Sequence, residues 1–194
     1  VVWSAQYKEA HRFLYGSKDI PPDFEEAYRL LTAEAADGNA LAMYDLGRIF
    51  SGGIGRDADP EQAQAWYAKA LAAFLAVERQ RPNRYAEYRI GKMYSAGIGA
   101  EQDYGTAAEW LTKSAEQNYA YAQYSLAKLF SEGKGVPQDH KPALHLYEQS
   151  ATKGFPYAAW ELGKLCRDGV GCRPDEKQSA RYFASAFRGF KVLE

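Results

Sequence analysis

Histidine and cysteine are the residue types in this chain whose spacing could support chemistry. His140 and His145, two of three histidines with His11, are five residues apart, whereas two metal ligands on one helical face need a spacing of four. Cys166 and Cys172 are the only cysteines, too few for a four-thiolate zinc site or a disulfide framework. No serine or cysteine nucleophile has a histidine in local support. The sequence therefore predicts no catalytic residue, no metal site and no cofactor.

Four Gly-x-Gly pairs are typical of loops that hold phosphates ahead of a helix. No strand precedes them, and Gly133-Lys134-Gly135 lacks the spacing of a phosphate loop. All four recur at one position of a longer repeat, which favours a structural role in a turn. Cys166 takes the position of the aromatic residues Phe50 and Phe130, so we expect a buried apolar side chain, although a disulfide with Cys172 is geometrically conceivable.

A period of 36 residues organises the chain. Asp103, Asp139 and Asp175 each follow the second glycine of a pair by four residues and are 36 residues apart, as are Asp23 and Asp59. The interval from Asp59 to Asp103 is 44 residues, an excess of 8. A fixed period of this size is typical of a solenoid of stacked helical units.

Each period predicts a helix–turn–helix hairpin. In the unit that begins at Asp103, two amphipathic stripes follow one another, Ala107, Trp110, Leu111, Ser114 and Ala115, then Ala122, Leu126, Leu129 and Phe130. Asp103 is the expected N-cap of the first helix, and Gly38, Asn118 and Gly154 are expected left-handed residues in the turn. Small residues recur at one further position, Gly47, Gly91, Ala127 and Gly163, opposite aromatic residues at another, Tyr44, Tyr88, Tyr124 and Trp160.

This pattern predicts an all-α solenoid of about ten helices in a single domain. The predicted hairpins are residues 23–58, 59–102, 103–138 and 139–174, with a capping helix and linker in residues 1–22 and a half repeat in residues 175–194.

The unit resembles the Sel-like repeat, a relative of the tetratricopeptide repeat. The resemblance lies in Ala-x-x-Trp-Leu-x-Lys-Ser-Ala at 107–115, Ala-x-Ala-Gln-Tyr-x-Leu-Ala-x-Leu-Phe at 120–130 and Gly-x-Gly-Val-x-x-Asp at 133–139. It implies a right-handed superhelix whose concave face, built from first helices, holds peptides or protein partners, and it implies no catalytic residues. Cysteine-rich members of the family bridge their paired helices in every repeat, and this chain departs from that pattern.

Two sets of residues are candidates for partner binding. If the first helices line a concave face, the polar residues between their core stripes point to the partner, among them Lys69, Glu109, Lys113, His145, Gln149 and Arg181. Tyr85, Tyr121 and Tyr157 recur three residues before the core aromatic and are expected to form a partly exposed stripe. A solvated face for the first set and ordinary packing between repeats for the second are the alternatives.

The 8-residue excess is expected to lengthen the first helix of the second hairpin by about two turns. Residues 72–77 are apolar almost all round and need a cover, which the N-terminal helix with Trp3 and Phe13, a partner protein or a second copy of the chain would supply. A basic cluster stands beside this insertion, at Arg79, Arg81, Arg84, Arg89 and Lys92. It is the basis for an alternative role in contacting nucleic acid.

The net charge and the longest apolar stretch limit which classes of function remain for the chain. The net charge of -1 argues against a dedicated nucleic-acid surface, and residues 68–77, the most apolar stretch, are too few to cross a bilayer. We therefore expect a cytoplasmic interaction scaffold. Because the chain begins at Val1 without methionine, we interpret it as an accessory part of a larger bacterial protein. The long repeat also resembles the arrays that follow the nicking domain of some plasmid-mobilisation relaxases, which is the basis for a nucleic-acid-assisting alternative.

Overall fold

A computed structural model describes residues 3–18 and 21–193, and these contain ten helices and no β-strand. The helices are α1 (Ala5–Tyr15), α2 (Phe24–Ala36), α3 (Ala40–Gly52), α4 (Pro60–Gln80), α5 (Arg84–Ala96), α6 (Tyr104–Glu116), α7 (Ala120–Glu132), α8 (His140–Thr152), α9 (Pro156–Asp168) and α10 (Glu176–Leu193). The predicted α-solenoid is confirmed. The chain divides into two compact units, one that ends at Gln102 and one that begins at Asp103.

The repeated aspartates begin the even-numbered helices, as predicted. Asp103 accepts a hydrogen bond from the backbone N–H of Thr106, three residues on, and Asp23, Asp59 and Asp175 accept equivalent bonds. Asp139 accepts instead from the N–H of Lys141, two residues on. Each carboxylate satisfies an amide of the first turn that has no partner within the helix. α1 begins at Ala5, because Ser4 caps the helix by accepting a hydrogen bond from the Tyr7 N–H.

The Gly-x-Gly pairs are turns that follow the odd-numbered helices. In each pair the first glycine is the left-handed C-cap, and both glycines have positive φ, for example +65° at Gly97 and +74° at Gly99. A Cβ at Gly99 would lie 2.5 Å from the carbonyl carbon of Tyr67 in α4, so the backbones approach too closely for any side chain. The predicted left-handed residues Gly38, Asn118 and Gly154 also have positive φ.

Helix packing in each unit is most extensive between an odd-numbered helix and the even-numbered helix that follows it. The small residues predicted for close approach explain this preference. A Cβ at Gly47 of α3 would lie 2.5 Å from the Tyr67 ring of α4, and one at Gly163 of α9 would lie 2.7 Å from the Phe183 ring of α10. Aromatic rings therefore fill the space that the missing side chains leave.

The insertion lengthens α4, which has 21 residues where α2, α6 and α8 have 13. Gly99 contacts α4 at Tyr67 and Ala68, whereas Gly55 contacts α2 at its first residue, Phe24. The contact with Gly99 thus lies about two turns after the start of α4, and the extra residues precede that contact. Within the expected apolar overhang Phe74 is fully buried, while Ala72 and Ala76 are exposed. Its cover by the N-terminal helix or a partner stays a prediction.

We expect Gly99→Ala to lower the free energy of unfolding by about 2 to 4 kcal/mol, because left-handed strain adds to the collision with the Tyr67 backbone. Gly38→Ala is the matched control, since Gly38 has φ +85° and no atom within 4 Å of the place that an alanine Cβ would take. It should lose only about 1 kcal/mol. Equal losses in urea denaturation of the two variants would contradict the close approach at Gly99.

Candidate interaction surfaces

The three histidines have different neighbours in the part of the chain that the structure describes. His11 Nε2 lies 2.7 Å from Asp45 Oδ2, and His145 Nε2 lies 3.0 Å from Gln149 Nε2. His140 begins α8, far along the chain from His11. Across residues 3–18 and 21–193, no three His, Cys, Asp or Glu side chains are grouped to hold a metal ion.

Both cysteines are free thiols. Cys166 is buried in α9, as its core position predicts, and Cys172 is exposed in the following turn. Burial, together with the neighbouring Cys172 thiol, raises the pKa of Cys166 to about 11. A thiol with this pKa is almost entirely protonated at neutral pH and is a poor nucleophile.

We expect Cys172 to react with Ellman's reagent at pH 8 at least about a hundred times faster than Cys166, because the thiolate fraction of Cys166 is near one in a thousand. The Cys172→Ser variant isolates the buried thiol. Rapid labelling of that variant in the absence of denaturant would contradict the buried, protonated state of Cys166.

Two of the predicted binding lysines are occupied within their own helices. Lys69 Nζ lies 4.3 Å from the centre of the Trp66 ring in α4, and Lys113 Nζ lies 4.1 Å from the centre of the Trp110 ring in α6. Both pairs have a spacing of three residues, which places them on one helical face. The repeated Trp-x-x-Lys sequence could have revealed these cation–π contacts.

Three of the other predicted residues of the even-numbered helices, His145, Gln149 and Arg181, line shallow grooves in the second unit. His145 and Gln149 of α8 line a groove of about 250 Å³ with residues of α6, among them Thr112 and Glu116. Gln149 also accepts a hydrogen bond from Gln123 Nε2 at 3.1 Å.

A second groove, of about 450 Å³, lies between α8 and α10. Arg181 lines it with Glu148, Thr152, Tyr182 and Ser185. Glu109 is exposed on α6 and lines neither groove. The structure therefore brings His145 and Gln149 together in one groove and places Arg181 in the other.

Tyr121 and Tyr157 belong to a continuous row of rings across α7, α9 and α10, which we call the aromatic ladder. Its members are Tyr119, Tyr121, Phe155, Tyr157 and Phe190, and successive ring centroids are 5.4, 4.8, 5.5 and 5.0 Å apart. Phe155 connects the two predicted tyrosines. It is the residue just before α9, a position that the tyrosine spacing does not include.

A cluster of exposed rings, the exposed patch, continues the ladder across α9 and α10. Tyr157 is 51% exposed, Trp160 is 36% exposed and Phe187 is 57% exposed. The Trp160 and Phe187 ring centroids are 5.9 Å apart. Aromatic side chains with this exposure are typical of protein–protein contact surfaces, since each offers a large apolar area and restricted motion.

Tyr85 belongs to a different surface, in the first unit. Its hydroxyl accepts a hydrogen bond of 2.8 Å from Arg89 Nε, and its ring lies 5.8 Å from the Trp3 ring. Burial raises the pKa of Tyr85, and Arg89 opposes this rise. The three predicted tyrosines are thus divided between the two units.

A buried carboxylate joins α1 to α3 on the same surface of the first unit. Asp45 is 3% exposed and accepts a hydrogen bond of 2.6 Å from the Tyr7 hydroxyl, while His11 and Arg48 lie 2.7 and 3.4 Å away. Arg48 also donates to the Tyr15 hydroxyl at 2.6 Å. Burial raises the pKa of Tyr7, and Asp45 raises it further. This Asp45 network was not predicted from the sequence, because Tyr7 and His11 lie in α1, outside the four hairpins predicted from the 36-residue period.

The five residues of the basic cluster beside the insertion differ in how exposed they are. Arg79, Arg81, Arg84 and Lys92 are exposed. Arg89 is half-buried, with its guanidinium over the rings of Tyr44 and Tyr85.

The family model of the Sel1 repeat matches residues 3–39, 40–73, 84–119, 120–155 and 156–189. The chain belongs to the Sel1 repeat family. No curated protein matches the sequence.

Several solved structures share the fold at low sequence identity. A Sel1 repeat protein from Oxalobacter formigenes is 24% identical with a TM-score of 0.73, and the match covers 94% of this chain and 71% of that protein. A protective antigen of uropathogenic Escherichia coli is 22% identical with a TM-score of 0.59, and the match covers 94% of this chain and 45% of the antigen. An immunity protein from Pseudomonas aeruginosa is 19% identical with a TM-score of 0.54, covering 95% of this chain and 81% of that protein.

The Sel1 matches begin at odd-numbered helices and pair each with the even-numbered helix that follows. This phase agrees with the packing preference in each unit, whereas the hairpins predicted from the sequence begin one helix later. Residues 74–83 fall between two matches. They include the last residues of the long α4 helix. The 44-residue interval from Asp59 to Asp103 is therefore also a departure from the Sel1 pattern.

We expect Tyr7→Phe to lower the free energy of unfolding by about 1 to 3 kcal/mol, because the buried Asp45 carboxylate loses a donor. Tyr15→Phe removes a hydroxyl from a half-exposed ring of the same helix, and its loss should stay within about 0.5 kcal/mol. Thermal or urea unfolding distinguishes the two. A Tyr7→Phe variant as stable as Tyr15→Phe would show that Asp45 does not hold α1 in place.

Proposed function

We propose that this Sel1 repeat chain is a non-enzymatic scaffold that binds a segment of another protein. Sel1 repeat proteins generally act as scaffolds for protein–protein interaction. For this chain, the proposal is based on the exposed patch of Tyr157, Trp160 and Phe187, which continues the aromatic ladder. It combines apolar area with hydroxyl and indole N–H groups that can bond to a partner's backbone.

The partner that fits these rings is a polypeptide with apolar side chains. Tyr157 and Trp160 lie one helical turn apart on α9, and Phe187 and Phe190 lie one turn apart on α10. Gaps between such rings suit single apolar side chains of an extended or helical segment. Rings held by one another lose little conformational freedom on binding, which favours affinity.

The polar residues that the sequence analysis predicted on the even-numbered helices are the weaker choice for partner binding. Two of their predicted contacts, Lys69 and Lys113, are placed over tryptophan rings, and the grooves beside His145 and Arg181 are lined mainly by polar and small residues. A partner there would compete with contacts already made inside the protein.

A cytoplasmic location and an accessory role in a larger bacterial protein remain predictions. Among the described residues, no helix is both long and apolar enough to span a membrane. The nucleic-acid-assisting role in a mobilisation protein also stays a prediction, and Arg89, one of its five basic residues, is turned toward tyrosines.

Selection of short peptides from a display library on the immobilised chain tests the scaffold proposal. We expect the selected peptides to bind at least about tenfold more weakly to Tyr157→Ala and Phe187→Ala, because truncating a central aromatic contact costs about 1.4 kcal/mol or more. Tyr15→Ala is the matched control, since Tyr15 and Tyr157 are each 51% exposed. Binding should be unchanged in that variant.

Melting temperatures of all three variants separate lost binding from lost structure. Peptides whose binding depends on His145 or Arg181 and ignores Tyr157 would overturn the patch assignment. Failure to select any peptide with saturable affinity would count against the scaffold itself.

A further inference from the structure

Arg89 has an unusual set of partners for a half-buried arginine. Its guanidinium carbon lies 4.8 Å from the centre of the Tyr44 ring and 5.2 Å from the centre of the Tyr85 ring, and its Nε donates to the Tyr85 hydroxyl at 2.8 Å. An arginine side chain keeps its charge at every pH a protein tolerates and carries five N–H donors. The contacts of Arg89 therefore position the group but occupy only one of its donors.

Arg89 forms no ion pair with a carboxylate among residues 3–18 and 21–193, and the ion pairs of Asp45, Glu26 and Glu25 in the first unit are made with other cations. Asp45, the buried carboxylate of this surface, already accepts from Tyr7 and lies beside His11 and Arg48. A charge taken partly out of water without a counter-ion is costly unless a ligand supplies one.

The repeat itself does not require an arginine here. The equivalent positions in α3, α7 and α9 hold Asp45, Ser125 and Glu161. Packing of an odd-numbered helix is therefore satisfied by small or acidic residues at this position. The cation is particular to α5, which points to a role beyond the fold.

The surroundings of Arg89 select the kind of anion. Arg48 and Asp45 largely offset one another, so Arg89 is left with a single uncompensated positive charge on this surface. A guanidinium with two parallel N–H groups matches a carboxylate in shape and charge. A dianionic phosphate would bring a second negative charge toward Asp45.

An apolar contact lies within reach of the same site. The Trp3 ring is 50% exposed and lies 5.8 Å from Tyr85 and 5.5 Å from Tyr7. Side chains from the segment before α1, from α3 and from α5 thus converge around Arg89. A free small acid would leave the Trp3 ring without a contact, whereas a polypeptide would cover it.

We propose that Arg89 binds the carboxylate of an aspartate or glutamate side chain in a partner polypeptide, and that Trp3 contacts the residue next to it. The site lies in the first unit and shares no residue with the exposed patch of the second. Its test uses different variants, so either proposal can fail without the other.

Titration of the full chain with acetyl-Leu-Glu-Leu-amide, followed through the ¹⁵N side-chain signal of Arg89, tests the site. The signal should shift saturably, and acetyl-Leu-Gln-Leu-amide should bind at least about tenfold more weakly, because the hydrogen bonds to a charged acceptor are lost. Fluorescence of a labelled Glu peptide gives the affinity of the variants. Arg89→Gln and Arg89→Lys should weaken it about tenfold or more, and Arg79→Gln, which removes an exposed charge from α4, should leave it unchanged.

Three further measurements fix the ligand class. Unchanged melting temperatures of Arg89→Lys and Arg79→Gln exclude loss of the fold as the cause. Acetate that binds as tightly as the Glu peptide would overturn the polypeptide source, and a phosphoserine peptide that binds more tightly would overturn the carboxylate. Equal binding of the Glu and Gln peptides, or an Arg89 signal that never shifts, would remove the site altogether.

Discussion

The close approach of the second glycine of each Gly-x-Gly turn to an even-numbered helix is the constraint on which the structure depends. At Gly99 and Gly135 the volume that a Cβ would need is taken by the backbone carbonyl groups of Tyr67 and Tyr104. At Gly55 and Gly171 it is taken by the Cβ atoms of Phe24 and His140, the first residues of α2 and α8. The turn has a positive φ and no room for a side chain. It therefore fixes where each odd-numbered helix ends against the even-numbered helix that precedes it. The N-cap aspartate, four residues later, then fixes where the next helix begins.

Regular turns place the odd-numbered helices of each unit beside one another, and their side chains then decide what the surface can bind. In the first unit, Tyr7, Asp45 and Arg89 come from three such helices and form a polar surface with a buried carboxylate and a half-buried cation. In the second unit, other positions at and before the starts of α7 and α9 hold Tyr121, Phe155 and Tyr157, and the surface is aromatic. One fold therefore presents two surfaces of different chemistry, which suits a scaffold whose partner is recognised by several kinds of side chain.

Much of the fold could be predicted from the period alone. Asp103 as N-cap, Gly99 as a left-handed turn residue and Gly47 as a point of close approach each follow from residue type and position in the repeat. The site could be predicted only in part, because a period says which residues are equivalent and not which polar groups of neighbouring helices meet. Tyr157 was found from its spacing, whereas the pairing of Tyr7 with Asp45 depends on side chains that occur once. The contact of Lys113 with Trp110 was readable from the sequence, since it depends on helical spacing within one element.

A crystal structure of the chain bound to a library-selected peptide tests most directly whether the exposed patch of α9 and α10 is the interaction surface. We predict peptide density against Tyr157, Trp160 and Phe187, with the rings of the aromatic ladder in the positions they hold without peptide. A peptide seated instead in the grooves beside His145 and Arg181, with the exposed patch left in solvent, would contradict it.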